Sequence, residues 1–352
     1  MTPRFTPSTA AARSRFVPPA LAAVLLLVAA WSLTVGNFPI PLAEQGRFFV
    51  SLLSGGVGQG AGTAAERRHL VSTVLLDIRL PRLLGAVLVG AALSASGTAF
   101  QAMFVNPLVS PGLLGVLAGS AFGAALGMLA DLPWTAVQIC AFCGGTTAVG
   151  LALGMAKTGR SDKLLLLVLG GVISTALFTA LLSGVKYVAD PTDQLPAITY
   201  WLMGGLSRAD AATMSLAGPA LALGLCGLFF LGGRLDLLSL GDEEARSLGL
   251  ATGPTRLALI GLSTVLCALT VSIAGLIGWV GLIIPHAGRM LVGPAHGRLL
   301  PTTALLGGIY LLAVDDLSRL AFNVEIPLGI LTALIGIPFF PLVLRTARRG
   351  WS

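Results

Sequence analysis

Arg79 and Arg82 stand three residues apart in LDIRLPRLLGAVLVGAALSASG, Leu76 to Gly97, at the mouth of a long apolar run. If a helix already runs there, the two guanidiniums share one face, and Pro81 suits a helix start. So placed, they can snorkel to lipid headgroups or pair with Asp77, Asp315 or Asp316. Arg319, four residues after Asp315, has the same two options. Cys140 and Cys143 form a C-x-x-C, a spacing that serves redox and zinc sites. No second pair follows and no histidine is near, so packing inside an apolar run is the expectation. His69, His286 and His296 are far apart, and there is no H-E-x-x-H. None of the three lysines, Lys157, Lys163 and Lys186, follows a glycine, so the phosphate-cradling G-x-x-x-x-G-K-[ST] is absent. No nucleophile–base pair stands out. These residues predict a chain with no catalytic group, no metal site and no cofactor.

The elements that position such residues are membrane spans. Of 352 residues, 55% are hydrophobic and 11% charged, with a mean hydropathy of +0.89. That excludes a soluble globular domain and a disordered one. The net charge of +7 is scattered among loops and reads as a topology signal, not a nucleic-acid surface. Ten apolar segments are candidates for an all-α polytopic protein: about 18–36, 81–104, 112–130, 133–156, 164–184, 213–232, 257–275, 277–293, 300–320 and 327–344. LPAITYWLMGGLS, 195–207, is too short to cross and reads as a re-entrant or interfacial helix. The first run follows Arg4, Arg13 and Arg15 as a signal peptide would, but no clear small-x-small cleavage site follows, so a retained span is expected. Placing the N-terminus inside puts most of the 22 Lys/Arg on inner segments and both termini in the cytoplasm. Arg79, Arg82 and Arg319 then lie outside, against the usual bias. The expected organisation is a cytoplasmic tail over 1–16, one transmembrane domain over 17–347 with an outer segment at 37–78, and a tail at 348–352. Gly115, Gly119, Gly123 and Gly127 recur every fourth residue and predict a smooth stripe for close helix packing within the chain.

Few ionisable groups fall inside the spans, which disfavours a proton-coupled secondary transporter. Energy for pumping would have to come from another subunit. The largest inner segment, 234–256, is where such a partner could grip. Asp242, Glu243 and Glu244 suit the N-terminal end of a short helix. Arg246 and Leu248 follow, Gly249 can end the helix, and Gly253–Pro254 prevents a long continuation. A solvated loop is the competing reading. On the other side, Tyr200, Trp201 and Met203 of the short segment, with Gln101 as a rare polar group in a span, could border a central cavity. Interfacial anchoring for the aromatics and a helix–helix hydrogen bond for Gln101 explain the same residues.

From Asp77 to Leu344 the chain resembles the FecCD family, permease subunits of ABC importers for iron chelates, haem and vitamin B12. IRLPRLLGAVLVGAALSASGTAFQAMFVNPLVSPGLLG is similar to that family's second and third spans, and LGDEEARSLGL to its coupling segment. AGLIGWVGLIIPHAGRMLVGPAHGRLLP and DDLSRLAFNVEIPLGILTALIGIPFFPLVL are similar to its C-terminal spans. Val105 replaces the basic residue the family usually has before the Asn of NPL. The resemblance implies a type II importer permease of ten spans in the bacterial or archaeal cytoplasmic membrane. Spans two to five and seven to ten would form inverted halves. It further implies a homodimer, two ATP-binding subunits and a periplasmic or lipoprotein substrate-binding protein. Asp242, Glu243, Glu244, Arg246, Leu248 and Gly249 would couple to the ATPase, while Arg79, Arg82 and Arg319 would meet acidic residues of the binding protein. Ferric siderophore is the expected cargo, with haem and cobalamin next. YVADPTDQLPAITYWLMGGLS also resembles members that carry molybdate-like oxyanions.

Overall fold

The computed structural model describes residues 8–36, 38, 40–53, 63–158, 163–321 and 324–347; the tail at 348–352 and residues 1–7 lie outside them. Among the described residues the structure is helical, with no strand. Helix α1 (Ser8–Thr34) begins well ahead of the expected boundary at 16, because the alanine-rich STAAARSRF favours helix before the apolar run starts. The expected outer segment holds α2 (Leu42–Leu53) and α3 (Thr63–Ser72), seated on a small core of Ile40, Phe48, Val71 and Leu75. From α3 the backbone runs on through a π-helical turn, Thr73–Arg79, into α4 (Leu80–Met103). Pro81 has no N–H to continue the ordinary ladder, and the wider turn lies just ahead of it.

Four more helices precede the middle of the chain: α5 (Val116–Leu129), α6 (Trp134–Thr158), α7 (Lys163–Val188) and the short α8 (Gln194–Leu202). Then come α9 (Ala211–Phe230), the short pair α10 (Gly232–Leu238) and α11 (Asp242–Ser247), and α12 (Thr252–Ala274). The chain closes with α13 (Val280–Val292), α14 (His296–Leu320) and α15 (Leu328–Ala347). Seven described runs are long and apolar enough to cross a membrane, and three shorter apolar helices fall in α5, α13 and α15. Together they coincide with the ten apolar segments of the sequence. Helix α4 is central: Val89 to Met103 are buried without a break, as expected of a helix that is small and apolar all round. Helices α7 and α9 instead expose Leu169, Ile173, Leu216 and Leu223, the surface a lipid tail would cover.

Two sets of four helices repeat one plan. Helices α4 to α7 are 24, 14, 25 and 26 residues long; α12 to α15 are 23, 13, 25 and 20. In each set the second helix is short and is entered through a left-handed residue, Gly115 (φ 88°) or Trp279 (φ 68°). Packing crosses between the sets in the same pattern, with α4 against α13 and α14, and α12 against α5 and α6. Because α4 is the second apolar span and α12 the seventh, the two sets run in opposite senses.

Close packing rests on missing side chains. A Cβ on Gly119 would lie 2.3 Å from the Gly144 carbonyl oxygen, and one on Gly123 would lie 2.1 Å from that of Cys140. The glycine stripe of α5 is thus the seam with α6, inside the chain. Three further glycines make a joint where α8 ends, α12 ends and α15 begins. Gly205 N–H donates to the Ala274 carbonyl (2.8 Å), Leu328 N–H to Gly204 (2.9 Å) and Gly329 N–H to Met203 (3.0 Å). A Cβ at Gly204, Gly275 or Gly329 would come within 2.7 Å of a neighbouring carbonyl oxygen.

Candidate functional site

Helix α14 has 25 residues and is about 37 Å long, enough to traverse a hydrocarbon core of ~30 Å, so its ends mark the two faces of the bundle. A charged cluster stands at each.

At the C-terminal end of α14, two arginines meet three carboxylates, and a third arginine bonds to backbone carbonyls of the α1 end. Arg82 divides its guanidinium between two of them: Nε and Nη2 reach Asp315 at 3.0–3.1 Å, while Nη1 and Nη2 reach Glu325 at 2.8 and 3.0 Å. Arg319 lies 3.2 Å from Asp315 through Nε and donates to Asp316, Ser32 and the Val35 carbonyl through Nη1 and Nη2. The Ser32 hydroxyl donates to Asp316 at 2.7 Å. Arg79 turns away from Arg82 and donates to the carbonyls of Leu33 (2.5 Å) and Phe38 (2.6 Å). A cation there complements the C-terminal end of α1. Asp315 is 0% and Asp316 1% exposed, and Arg79 is 6% exposed. Positive and negative charges balance three to three, the condition under which such groups tolerate burial.

The sequence therefore located these arginines together, and Asp315 and Asp316 are partners as one of the two local readings held. Asp77 is exposed and is not among their partners. Arg79 and Arg82 do not share a target, because their junction between π-helical and α-helical turns sends one to α1 and the other to α14. Glu325 was missed. It is the single acid between α14 and α15 in the sequence, and counting charges on that loop against the three arginines would have found it.

At the N-terminal end of α14 lies the expected coupling segment. Asp242, Glu243 and Glu244 open α11 as their types predict, and Gly249 (φ 84°) follows its end. Asp242 is gripped by Arg256 at 2.6 and 3.2 Å and approached by Arg246 at 3.5 Å; Arg246 Nε also donates to Thr252 at 3.2 Å. Buried Ala245 packs the helix down, while Glu243, Glu244, Arg246, Gly249 and Leu248, the last 59% exposed, face outward. Two residues not singled out from sequence hold this end together. The Asp236 carboxylate accepts from the His296 N–H at 2.8 Å and contacts its Nδ1 at 2.7 Å, pinning α10 to the start of α14. The segment is thus a braced helical pair, not a solvated loop.

Helix α8 is short, as expected of LPAITYWLMGGLS. Tyr200 and Met203 are exposed at its end, whereas Trp201 is buried against Ala124, Val137, Ala141 and Val271. Nearby, the Thr213 N–H donates to Asp210 (2.8 Å), capping α9 and holding that acid below the usual carboxylate range. Gln101 is not brought to this helix. It sits near the opposite end of α4, where its Oε1 accepts from Arg289 on α13 and its Nε2 lies 3.4–3.5 Å from the carbonyls of Gly281 and Leu282. A helix–helix hydrogen bond is thus present at Gln101. Cys140, Cys143, Cys226 and Cys267 are free thiols, and no cluster of three metal-ligating side chains occurs among the described residues.

Two inverted halves, ten apolar segments and a charged cluster at each face define a multi-pass membrane permease. The model of the FecCD transport family matches residues 24–346, and the chain belongs to that family. Its relatives include the molybdate import system permease protein MolB of Haemophilus influenzae, 39% identical over 330 residues, covering 94% of this chain and 95% of the relative. The hemin transport system permease protein HmuU of Yersinia pestis is 39% identical over 277 residues, 76% of this chain and 81% of the relative. Among solved structures, an inward-facing conformation of a metal-chelate type ABC transporter superposes with a TM-score of 0.83 at 36% identity, covering 94% of this chain and 99% of the other. The chain is accordingly a transport subunit of the ABC importer kind, a class that works with ATPase and substrate-binding partners.

Proposed function

We propose that this chain is the membrane path of an ATP-driven importer of a metal chelate, with ferric siderophore as cargo. The observation that carries the proposal is the pairing of an outward-facing helical brace at one face with an arginine cluster at the other, joined by α14. Two copies form the path, with two ATP-binding subunits at the α10–α11 end and a binding protein at the Arg79, Arg82 and Arg319 end. Both termini lie in the cytoplasm. ATP closes the partner subunits, α11 moves with them, and α14 and α4 carry the change to the far face, so that the cavity opens to one side at a time. Tyr200 and Met203 border that cavity, while Trp201 and Gln101 position helices around it. A molybdate-like oxyanion is the second reading, favoured by the likeness to MolB along nearly the whole chain. Uptake of radioactive ferric siderophore and of radioactive molybdate into proteoliposomes holding the full importer separates the two. ATP-dependent uptake of neither, with uptake of haem or cobalamin instead, would overturn both.

The coupling face has its own test. Leu248→Asp alters an exposed side chain, so folding should stay within about 0.5 kcal/mol of the wild type. Arg246→Glu also gives up an exposed ion pair with Asp242, worth up to about 1 kcal/mol. Recovery of the complex with the ATPase, or transport per ATP hydrolysed, should fall at least about tenfold, as for a central interface residue. Normal complex yield and normal transport in both variants would remove α11 from the interface. The isolated chain should not hydrolyse ATP, and hydrolysis should appear on assembly.

A further inference from the structure

Four of the five donors of Arg82 are already engaged inside the chain, and this determines how a partner can reach it. A guanidinium has five N–H donors. Nε and one Nη2 hydrogen are directed at Asp315, the other Nη2 hydrogen and one Nη1 hydrogen at Glu325. One Nη1 hydrogen remains, too few for the bidentate grip that makes an arginine–carboxylate contact specific. An incoming carboxylate must therefore take the place of one already present.

The two present are not equivalent. Asp315 lies within α14, is wholly buried, and is also 3.2 Å from Arg319. Removing it would strand two buried cations. Glu325 lies in the turn between α14 and α15, and its side chain is 37% exposed. It can leave Arg82 and be solvated at little cost. We propose that Glu325 is an internal occupant of the docking site: it fills the position on Arg82 that an acidic side chain of the substrate-binding protein takes, and docking is an exchange of one carboxylate for the other. The inference rests on the reading that this face is where the binding protein docks, and names how the contact is made.

The exchange has a built-in consequence. The residue after Glu325, Ile326, is held by Ser318, whose hydroxyl donates to its carbonyl at 2.5 Å. Two residues further, Leu328 N–H donates to Gly204, and Gly329 N–H to Met203. Glu325 is thus the outer end of a short strap whose other end is bonded to the residues that follow α8. Docking frees Glu325 at the outer end of that strap, while Ser318 and the backbone bonds to Met203 and Gly204 keep the rest in place.

The test uses the full importer in nanodiscs with its binding protein, and Glu325→Ala. Two readouts apply. Docking, measured by surface plasmon resonance at low salt, should tighten about 2- to 5-fold, the worth of one exposed ion pair that no longer competes. Modification of Arg82 by p-hydroxyphenylglyoxal, followed by mass spectrometry, should quicken by a similar factor, and added binding protein should suppress it. Glu325→Gln, which keeps the shape and loses the charge, should fall between wild type and alanine in both. Unchanged or weaker docking by Glu325→Ala, in protein whose Arg82→Gln variant docks more weakly, overturns the exchange and leaves the docking face standing. Docking that ignores both substitutions overturns the face as well.

Discussion

Replacing Asp315 with alanine should destabilise the folded permease by about 3–5 kcal/mol, the range for a buried ion pair that loses one partner. Asp315 lies between Arg82 and Arg319, each within 3.2 Å, and is fully buried. Its removal leaves two guanidiniums at the end of α14 with Asp316 and the half-exposed Glu325 to balance them. Unfolding in detergent, followed by intrinsic fluorescence, measures the loss. Adding Arg82→Ala to Asp315→Ala should cost less than the two single changes summed, because the second substitution removes a stranded charge. A loss below about 1 kcal/mol, the range of an exposed pair, would mean that water reaches the cluster freely. The same geometry bears on charge reversal. If these arginines served docking alone, Arg79→Glu with Arg82→Glu, or Arg319→Glu, would disturb docking and spare folding. With Asp315 and Asp316 buried beside Arg82 and Arg319, a glutamate introduced at 82 or 319 meets carboxylates at close range, one at 79 would face the carbonyls of Leu33 and Phe38, and folding is expected to fail first.

Gly123→Leu should abolish recovery of folded protein, or lower its stability by more than about 3 kcal/mol, the upper end of ordinary overpacking. Its first added atom would sit 2.1 Å from the Cys140 carbonyl oxygen, a backbone atom that cannot swing aside. Helices α5 and α6 would have to separate along their whole seam, giving up the close contact that holds helices together in lipid. Gly154→Leu on α6 is the matched control, since nothing lies within 4 Å of the added carbon. Monodisperse yield by size-exclusion chromatography compares the two. Equal behaviour would refute the seam.

Much of the fold could be read from the chain because a membrane requires long apolar runs, and each run is contiguous. The ten segments and the short α8 were visible for that reason. So was α11, whose acids, arginine and glycine are all local. What could not be read was pairing across distance. Arg82 lies 233 residues from Asp315 and 243 from Glu325, and Gln101 lies 188 from Arg289. No periodicity links such positions. The outer segment was visible as a segment but not as helices α2 and α3, because their seat on Val71 and Leu75 exists only once the chain has folded back.

The glycine joint between α8, α12 and α15 has a bearing on how such a permease could change its cargo. The hydrogen bonds in it all run main chain to main chain, so they read no side chain and depend only on the room its glycines leave. Met203 takes part through its backbone carbonyl, and the side chains of Tyr200 and Met203 are exposed to 53% and 36%. Position and identity are therefore separable there. On the proposed reading that Tyr200 and Met203 border the cavity, substitution at 200 and 203 would alter what the opening presents to a passenger without altering where the opening stands, leaving one frame free to be refitted for different freight.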